Sequence, residues 1–472
     1  MNEKINGDEV TLLKGKYKSQ YFEDTQGLIK ALNEVSPSFC LAKWYSVSLH
    51  LPTGKTHSCY HPPAHNIPLE ELAITPDALH NTKYKKEQRK KMLAGERPKE
   101  CEFCWALEDQ GNLSDRAYRS KDVIEPELIK LAQVDENPKP RYLEVNFNQA
   151  CNLKCAYCSP HLSTEWHKEI KKFGAYELTK GNHNDPRWVE SLGINNAPDS
   201  PYVKAFWEWF PTVYPTLKTF RMTGGEPLMD KNTFKVFDYV KQNPNKNLNL
   251  SITSNCCPPG EQWQRFIFNL QDITDNGAID HFMLFCSLDS WGEQSEYIRN
   301  GMNFSMLYNN ITQYLKESKK HSLTFIITAN LLSLPNWLTY IKNIHKLRCE
   351  FNTDRQLIWF DTPMLHDPKW MSMKLASPEL LHSLQQSIEF MEAHPETSNN
   401  RFKGFKDFEV DKVRRLYEWA QVPLNTNEQE IAMKDFYKFF TEHDIRRGTN
   451  IRTTFPELNN FITKCEELNA KG

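Results

Sequence analysis

The chain has 472 residues with 58 basic and 60 acidic side chains, a formal net charge of -2. That length calls for two or three domains with substantial interiors, and the balanced charge gives no overall pull toward nucleic acid or an anionic bilayer. The first thirty residues lack the pattern of a secretory leader, and no uncharged apolar run nears the ~18 residues of a membrane span, so a cytoplasmic protein with no membrane partner is expected, nucleic acid being an unlikely one.

Residues 1–135 are polar and cysteine-bearing and are read as a first domain. Cys40 is followed by Gly54 and Cys59, and a closer pair, Cys101 and Cys104, lies in the run GERPKECEFCWALEDQG. Twelve cysteines in a cytosolic chain of this size point to metal or redox work where they cluster. The charged run KYKKEQRKK at 83–91 reads as a solvated helix face.

Residues 136–365 carry six short apolar strand patterns: RYLEVNF (141–147), LKTFRM (217–222), NLSITS (249–254), HFMLFCSL (281–288), LTFIIT (323–328) and QLIWFD (356–361). The long stretches between them suit crossover helices, which implies parallel pairing. The expected fold is α/β, a partial (β/α)6 TIM-like barrel with its site on the loops after the strands. The stretch 175–216, rich in Asn, Pro and aromatics, interrupts the alternation and suits a lid or a substrate-facing elaboration. Residues 366–472 read as a mostly helical C-terminal region, with Ser377 and Pro378 opening one helix.

The densest chemistry lies just after the first of the six strands, where NQACNLKCAYCSP spaces Cys151, Cys155 and Cys158 as C-x3-C-x2-C. Three thiolates can hold three corners of a cubane cluster and leave one iron open. Zinc is the alternative, but structural zinc closes on four ligands and catalytic zinc usually adds His or a carboxylate. MTGGEPLMD follows the second strand and brings Gly224, Gly225, Glu226 and Pro227 to the same rim; paired glycines admit close backbone approach, and a carboxylate there can accept from an ammonium group. Ser254 and Asn255 end the third strand, and Ser287, Asp289 and Arg299 follow the fourth. Asp289 reads equally as a helix cap and Arg299 as a surface ion pair. Cys256, Cys257, Cys286, Cys349 and Cys465 have no paired spacing and read as buried or incidental thiols.

Taken together, the three-cysteine motif, the aromatic Tyr157 before its last cysteine and the GGEP motif one strand later resemble the radical S-adenosylmethionine (SAM) superfamily. The resemblance implies a 4Fe-4S cluster on Cys151, Cys155 and Cys158. It implies SAM held by Tyr157, Gly224, Gly225, Glu226, Pro227, Ser254, Asn255, Ser287, Asp289 and Arg299. Cys40, Gly54, Cys59, Cys101 and Cys104 resemble the SPASM and twitch auxiliary domains of that superfamily, here placed before the barrel. This implies an N-terminal iron-sulfur (twitch-like) domain with a second 4Fe-4S cluster for electron transfer, a zinc ribbon being the alternative. By resemblance the chain is an enzyme that reductively cleaves SAM to a 5′-deoxyadenosyl radical and abstracts hydrogen from a small-molecule or peptide substrate. It would be an oxidoreductase or isomerase served by an electron donor such as flavodoxin or ferredoxin. A peptide- or protein-modifying maturase and a non-catalytic metal-binding module are the competing readings.

Overall fold

In the computed structural model, residues 21–121, 126–317 and 321–471 are described. Residues 1–20 and 122–125 of the expected first domain, including most of the stretch read as leaderless, lie outside the described residues.

Among the described residues nine strands form one sheet: β1 (Ser46–His50), β2 (Lys55–His57), β3 (His65–Asn66), β4 (Tyr142–Asn146), β5 (Thr219–Thr223), β6 (Asn245–Ser254), β7 (Ile279–Ser287), β8 (His321–Ile326) and β9 (Ile358–Asp361). Their order is β9-β8-β7-β6-β5-β4-β1-β2-β3. All six strands expected from the apolar patterns are present, and β4 to β9 pair parallel throughout. The helices Thr164–Phe173, Lys231–Gln242, Gln262–Asp275, Phe304–Glu317, Trp337–Phe351 and Pro378–Ala393 follow them one by one. Spatial order equals chain order from β4 to β9, so the winding never reverses.

The two faces of this sheet differ, because residues alternate across a strand. Val145, Met222, Ile252, Leu284 and Leu323 align across five strands on one face and are fully buried. Each contributes about 1.5–3 kcal/mol by leaving water. One residue earlier in each strand, Glu144, Arg221, Ser251, Met283 and Ser322 form a mostly polar row on the other face. A parallel sheet layered with helices on both sides would be apolar on both faces.

Sequence patterns missed β1. SVSLH is short, but it pairs parallel to β4, almost a hundred residues later, and β2 and β3 continue antiparallel from it. The N-terminal segment thus extends the sheet, while also keeping a small core of its own around Leu32, Phe39, Trp44, Met92 and Trp105.

One expectation is corrected in part. The run 83–91 is solvated on one side only: it forms the helix Lys83–Leu93, which exposes Lys83, Tyr84, Glu87 and Lys90 and buries Lys85, Gln88, Arg89 and Met92 together. Their spacing puts them on one side of the helix, and that side packs inward despite its charge. The stretch 175–216, expected to be a lid or a substrate-facing elaboration, falls into two parts. Its second half is the helix Pro201–Val213, whose Phe206 and Phe210 stack at 5.1 Å and pack on Phe147 and Phe220. Its first half is a hairpin, Tyr176–Leu178 with Gly181–His183, held against the helix Thr426–Arg447.

The C-terminal helices Pro378–Ala393, Asp407–Gln421, Thr426–Arg447 and Asn459–Ala470 pack back onto the sheet region. A buried ion pair, Arg348 to Glu409 at 2.5 Å, and the Tyr297 hydroxyl donating to Asp444 at 2.8 Å join them to it. Among the described residues no helix is long and apolar enough to cross a membrane.

Candidate metal centres and the strand-end site

The loop after β4 carries Cys151, Cys155 and Cys158 and is held from three directions. Thr164 at the start of the following helix accepts from the Cys151 amide at 3.2 Å and donates to its carbonyl at 3.1 Å. The Trp166 indole donates to the Cys155 carbonyl at 2.8 Å. From the C-terminal helices, Arg447 donates to the Lys154 carbonyl at 2.7 Å. The three thiols influence one another electrostatically, and burial pushes each up, Cys158 to about 12. As thiolates they therefore need a nearby positive charge.

The GGEP segment packs its backbone against this loop. The Glu226 amide donates to the Ala150 carbonyl at 2.6 Å, and a Cβ on Gly225 would collide with that carbonyl. Gly224 lies against the Asn146 side chain, and Pro227 opens the short helical turn that follows. The Glu226 carboxylate is buried and already engaged by the Ser254 hydroxyl at 2.8 Å and by the amides of Asn255 at 2.7 Å and Leu228 at 3.1 Å. Burial pushes this carboxyl up to about 7 against those three donors. Glu226 thus ties the end of β5 to the end of β6. The Asn255 side chain extends the tie, donating to Asn152 inside the cysteine loop at 3.0 Å.

Beyond β7, Asp289, Arg299 and Tyr157 form one buried network. Arg299 pairs with Asp289 at 2.9 Å and donates to the Tyr157 hydroxyl at 2.6 Å, and that hydroxyl donates to Asp289 at 2.7 Å. Arg299 also reaches the Cys155 Sγ at 3.6 Å. The amide of Thr328, beyond β8, donates to Asp289 at 2.9 Å. Asp289 is therefore neither a helix cap nor a surface acid, and Arg299 is not a surface residue. Ser287 ends β7 on the mostly polar face, opposite Ile326.

The N-terminal cysteines also converge. Cys40, Cys59, Cys101 and Cys104 line one cavity with Lys43, His61, Asp115 and Arg116. Cys40 precedes the helix Leu41–Tyr45, Cys59 follows β2, and Cys101 and Cys104 sit at the start of the helix Glu102–Glu108. Burial pushes Cys59 up to about 11 and Cys101 and Cys104 to about 12. Among the described residues, no three His, Cys, Asp or Glu side chains stand where they could hold a single metal ion.

A second cavity shares Ser58, Cys59 and Arg119 with the first and is lined further by Ser46, Ser48, Tyr60 and Tyr142. There the Tyr60 hydroxyl donates to Glu144 at 2.6 Å, Tyr142 donates to the same oxygen at 3.1 Å, and Arg221 stands 3.7 Å from it. Glu144, Arg221, Tyr60 and Tyr142 were not singled out in the sequence. The signal was present in the alternation of YLEVN and TFRMT, where every second residue is polar in strands otherwise fit for full burial.

No protein-family model matches the chain, and no curated protein matches it.

Proposed function

We propose that the chain is a radical SAM enzyme built on a partial (β/α)6 barrel, with an auxiliary metal centre in its N-terminal, twitch-like region. One observation carries the reading: three mutually interacting thiols stand on the loop at the carboxyl end of the first of six singly wound parallel strands, clamped by the backbone of GGEP. Ligand sites in such folds lie at the carboxyl ends of the strands. The donor set fits a cubane cluster, since soft thiolates favour iron-sulfur and three of them leave a corner open. The glycine at 225 lets the GGEP backbone reach the cysteine loop itself. In this reading, the glycines and Glu226 shape the cradle.

A 4Fe-4S cluster on Cys151, Cys155 and Cys158 would supply one electron to the sulfonium of SAM and so generate a 5′-deoxyadenosyl radical. The protein's part is to position and to exclude water. Arg299, fixed by Asp289 and Tyr157, stands as a cation beside the Cys155 sulfur. Tyr157, Ser287 and the ends of β5 to β7 border the space where SAM would lie. The mostly polar face, with Glu144, Arg221, Thr253 and the phenols of Tyr60 and Tyr142, offers hydrogen-bonding groups to a small-molecule or peptide substrate. Cys59 immediately precedes Tyr60, so an auxiliary 4Fe-4S cluster on Cys40, Cys59, Cys101 and Cys104 would stand next to that substrate, suited to electron transfer.

Anaerobic reconstitution tests this. Two cubane clusters correspond to about eight irons per chain, and reduction with SAM should yield 5′-deoxyadenosine. Cys151→Ala should abolish that product. A colourless, iron-free reconstituted protein, or a Cys151→Ala variant that still cleaves SAM, overturns the reading. Zinc at the four-cysteine site removes only the auxiliary cluster.

A further inference from the structure

A cavity of about 340 Å³ opens between the hairpin of Tyr176–Leu178 and Gly181–His183, the turn Lys369–Met371 and the helix Thr426–Arg447. Small-molecule sites begin at about 300 Å³. It shares no lining residue with the two cavities beside Cys59.

The helix presents Glu428, Ile431, Ala432 and Asp435 to this cavity. Their spacing of i, i+3, i+4 and i+7 makes one stripe, a carboxylate at each end and apolar side chains between. Leu178 and Trp370 add further apolar surface. Trp370 packs on Phe439, one turn beyond Asp435, with ring centres 5.5 Å apart, so the indole and the Asp435 carboxylate stand toward the same end.

The charges on the wall are three carboxylates against two ammoniums. Lys369 pairs with Glu428 at 2.5 Å, and Lys180 and Asp367 are exposed and of opposite sign. Asp435 differs from all of these in being 7% exposed. Its Oδ1 accepts from the Thr179 amide at 2.6 Å, while its Oδ2 has no partner among the described residues and stays open. The neighbouring cations of the helix are engaged elsewhere, Lys434 with Glu430 at 2.9 Å and Lys438 on Thr179 Oγ1 at 3.3 Å.

Water hydrates that open oxygen when the cavity is empty. A ligand that displaces the water must give back a hydrogen-bond donor, and the one deep charge of the site favours a donor that is positive. The Ile431 and Ala432 stripe calls for an apolar stem behind it, and the indole face attracts a cation as well.

We propose that this cavity binds a small organic cation, an alkylammonium with a short apolar stem whose ammonium pairs with Asp435 Oδ2. The site is separate from the strand-end site, and the proposal does not rest on the radical SAM reading. A free amine and the lysine side chain of a peptide share this chemistry.

The test titrates the full chain by calorimetry at pH 7 with three molecules of one shape: n-pentylamine, 1-pentanol and pentanoate. The amine should saturate one site per chain and bind at least about tenfold more tightly than the alcohol, with pentanoate weaker still. Asp435→Asn keeps an acceptor for the Thr179 amide but carries no charge, so it should erase the advantage of the amine over the alcohol. Ile431→Trp fills the cavity with Asp435 intact and should abolish amine binding, whether or not the Asn variant folds. The capped tripeptide Ac-Gly-Lys-Gly-NH2 names the source: tighter binding than pentylamine assigns the site to a peptide's lysine, weaker binding to a free amine. No saturable amine binding, equal affinity for amine and alcohol, or unchanged binding in Ile431→Trp overturns the proposal.

Discussion

Arg299 and Cys155 are partners twice over: they face each other in a two-residue antiparallel bridge, and the Arg299 guanidinium donates to the Cys155 Sγ at 3.6 Å. The charge that makes this contact is itself held by Asp289, which is fully buried. Asp289→Ala should therefore leave an uncompensated cation in the interior and cost about 3–5 kcal/mol in urea unfolding. The double variant Asp289→Ala/Arg299→Met should recover part of the loss, since no lone charge remains. A single-variant cost below about 1 kcal/mol would show that the pair is solvated.

Gly225 is the point at which GGEP touches the cysteine loop. A methyl there meets the Ala150 carbonyl, which is also the acceptor of the Glu226 amide. Backbone cannot step aside as a side chain can, so Gly225→Ala should displace the loop and destabilise the fold by about 1–3 kcal/mol. If Cys151, Cys155 and Cys158 hold a cluster as proposed, the iron bound there should fall with it. Thermal unfolding and iron analysis check both effects, and a wild-type melting point together with full iron loading refutes the account.

The legible and illegible parts of this chain separate on physical grounds. The six parallel strands were readable because each buries an apolar stretch such as HFMLFCSL between long connections, and that demand is local. The cysteine spacing was readable for the same reason. Three features required non-local information. β1 exists because β4 is there to pair with it. Lys85 and Arg89 look solvated because charge normally is, and their burial follows from what their helix packs against, Thr56, His57, Lys43 and Asn81. Asp289 read equally as a helix cap and Arg299 as a surface ion pair, and only the fold shows them buried together with Tyr157, Cys155 and the Thr328 amide.

Gly54 shows how a motif glycine can carry two constraints. It ends the turn after β1 with φ +60°, and a Cβ would run into the ring of Tyr202 on the helix Pro201–Val213. Gly448 has nearly the same φ, +65°, with open space around it. Gly448→Ala should therefore cost only the conformational term, about 1 kcal/mol. Gly54→Ala should cost about 2–4 kcal/mol, adding displacement of Tyr202 and its hydrogen bond to the Ile67 carbonyl. Comparing the two by urea unfolding isolates the steric part, and equal costs would remove it.

Acid should loosen the C-terminal helices from the cysteine loop through His443. This side chain is fully buried; Arg447 donates to its Nε2 at 3.0 Å, and the Tyr297 ring packs against it, tilted by 35°, with ring centres 4.9 Å apart. An imidazole that accepts from a guanidinium must be neutral at that nitrogen. Burial, reinforced by the Arg447 charge, pushes His443 down to about 4 from 6.5. Because the folded value lies below the unfolded one, the unfolded chain takes up the proton first. Stability is therefore complete above pH 6.5 and declines as pH falls toward 4. Between pH 7 and 5 the loss from this one group is roughly 2 kcal/mol. His443→Gln keeps an acceptor for Arg447 but does not ionise, so its unfolding free energy should fall by about that much less over the same interval. Parallel urea titrations at the two pH values decide the matter: an identical drop in wild type and variant means that His443 is already protonated or already exposed in the folded chain.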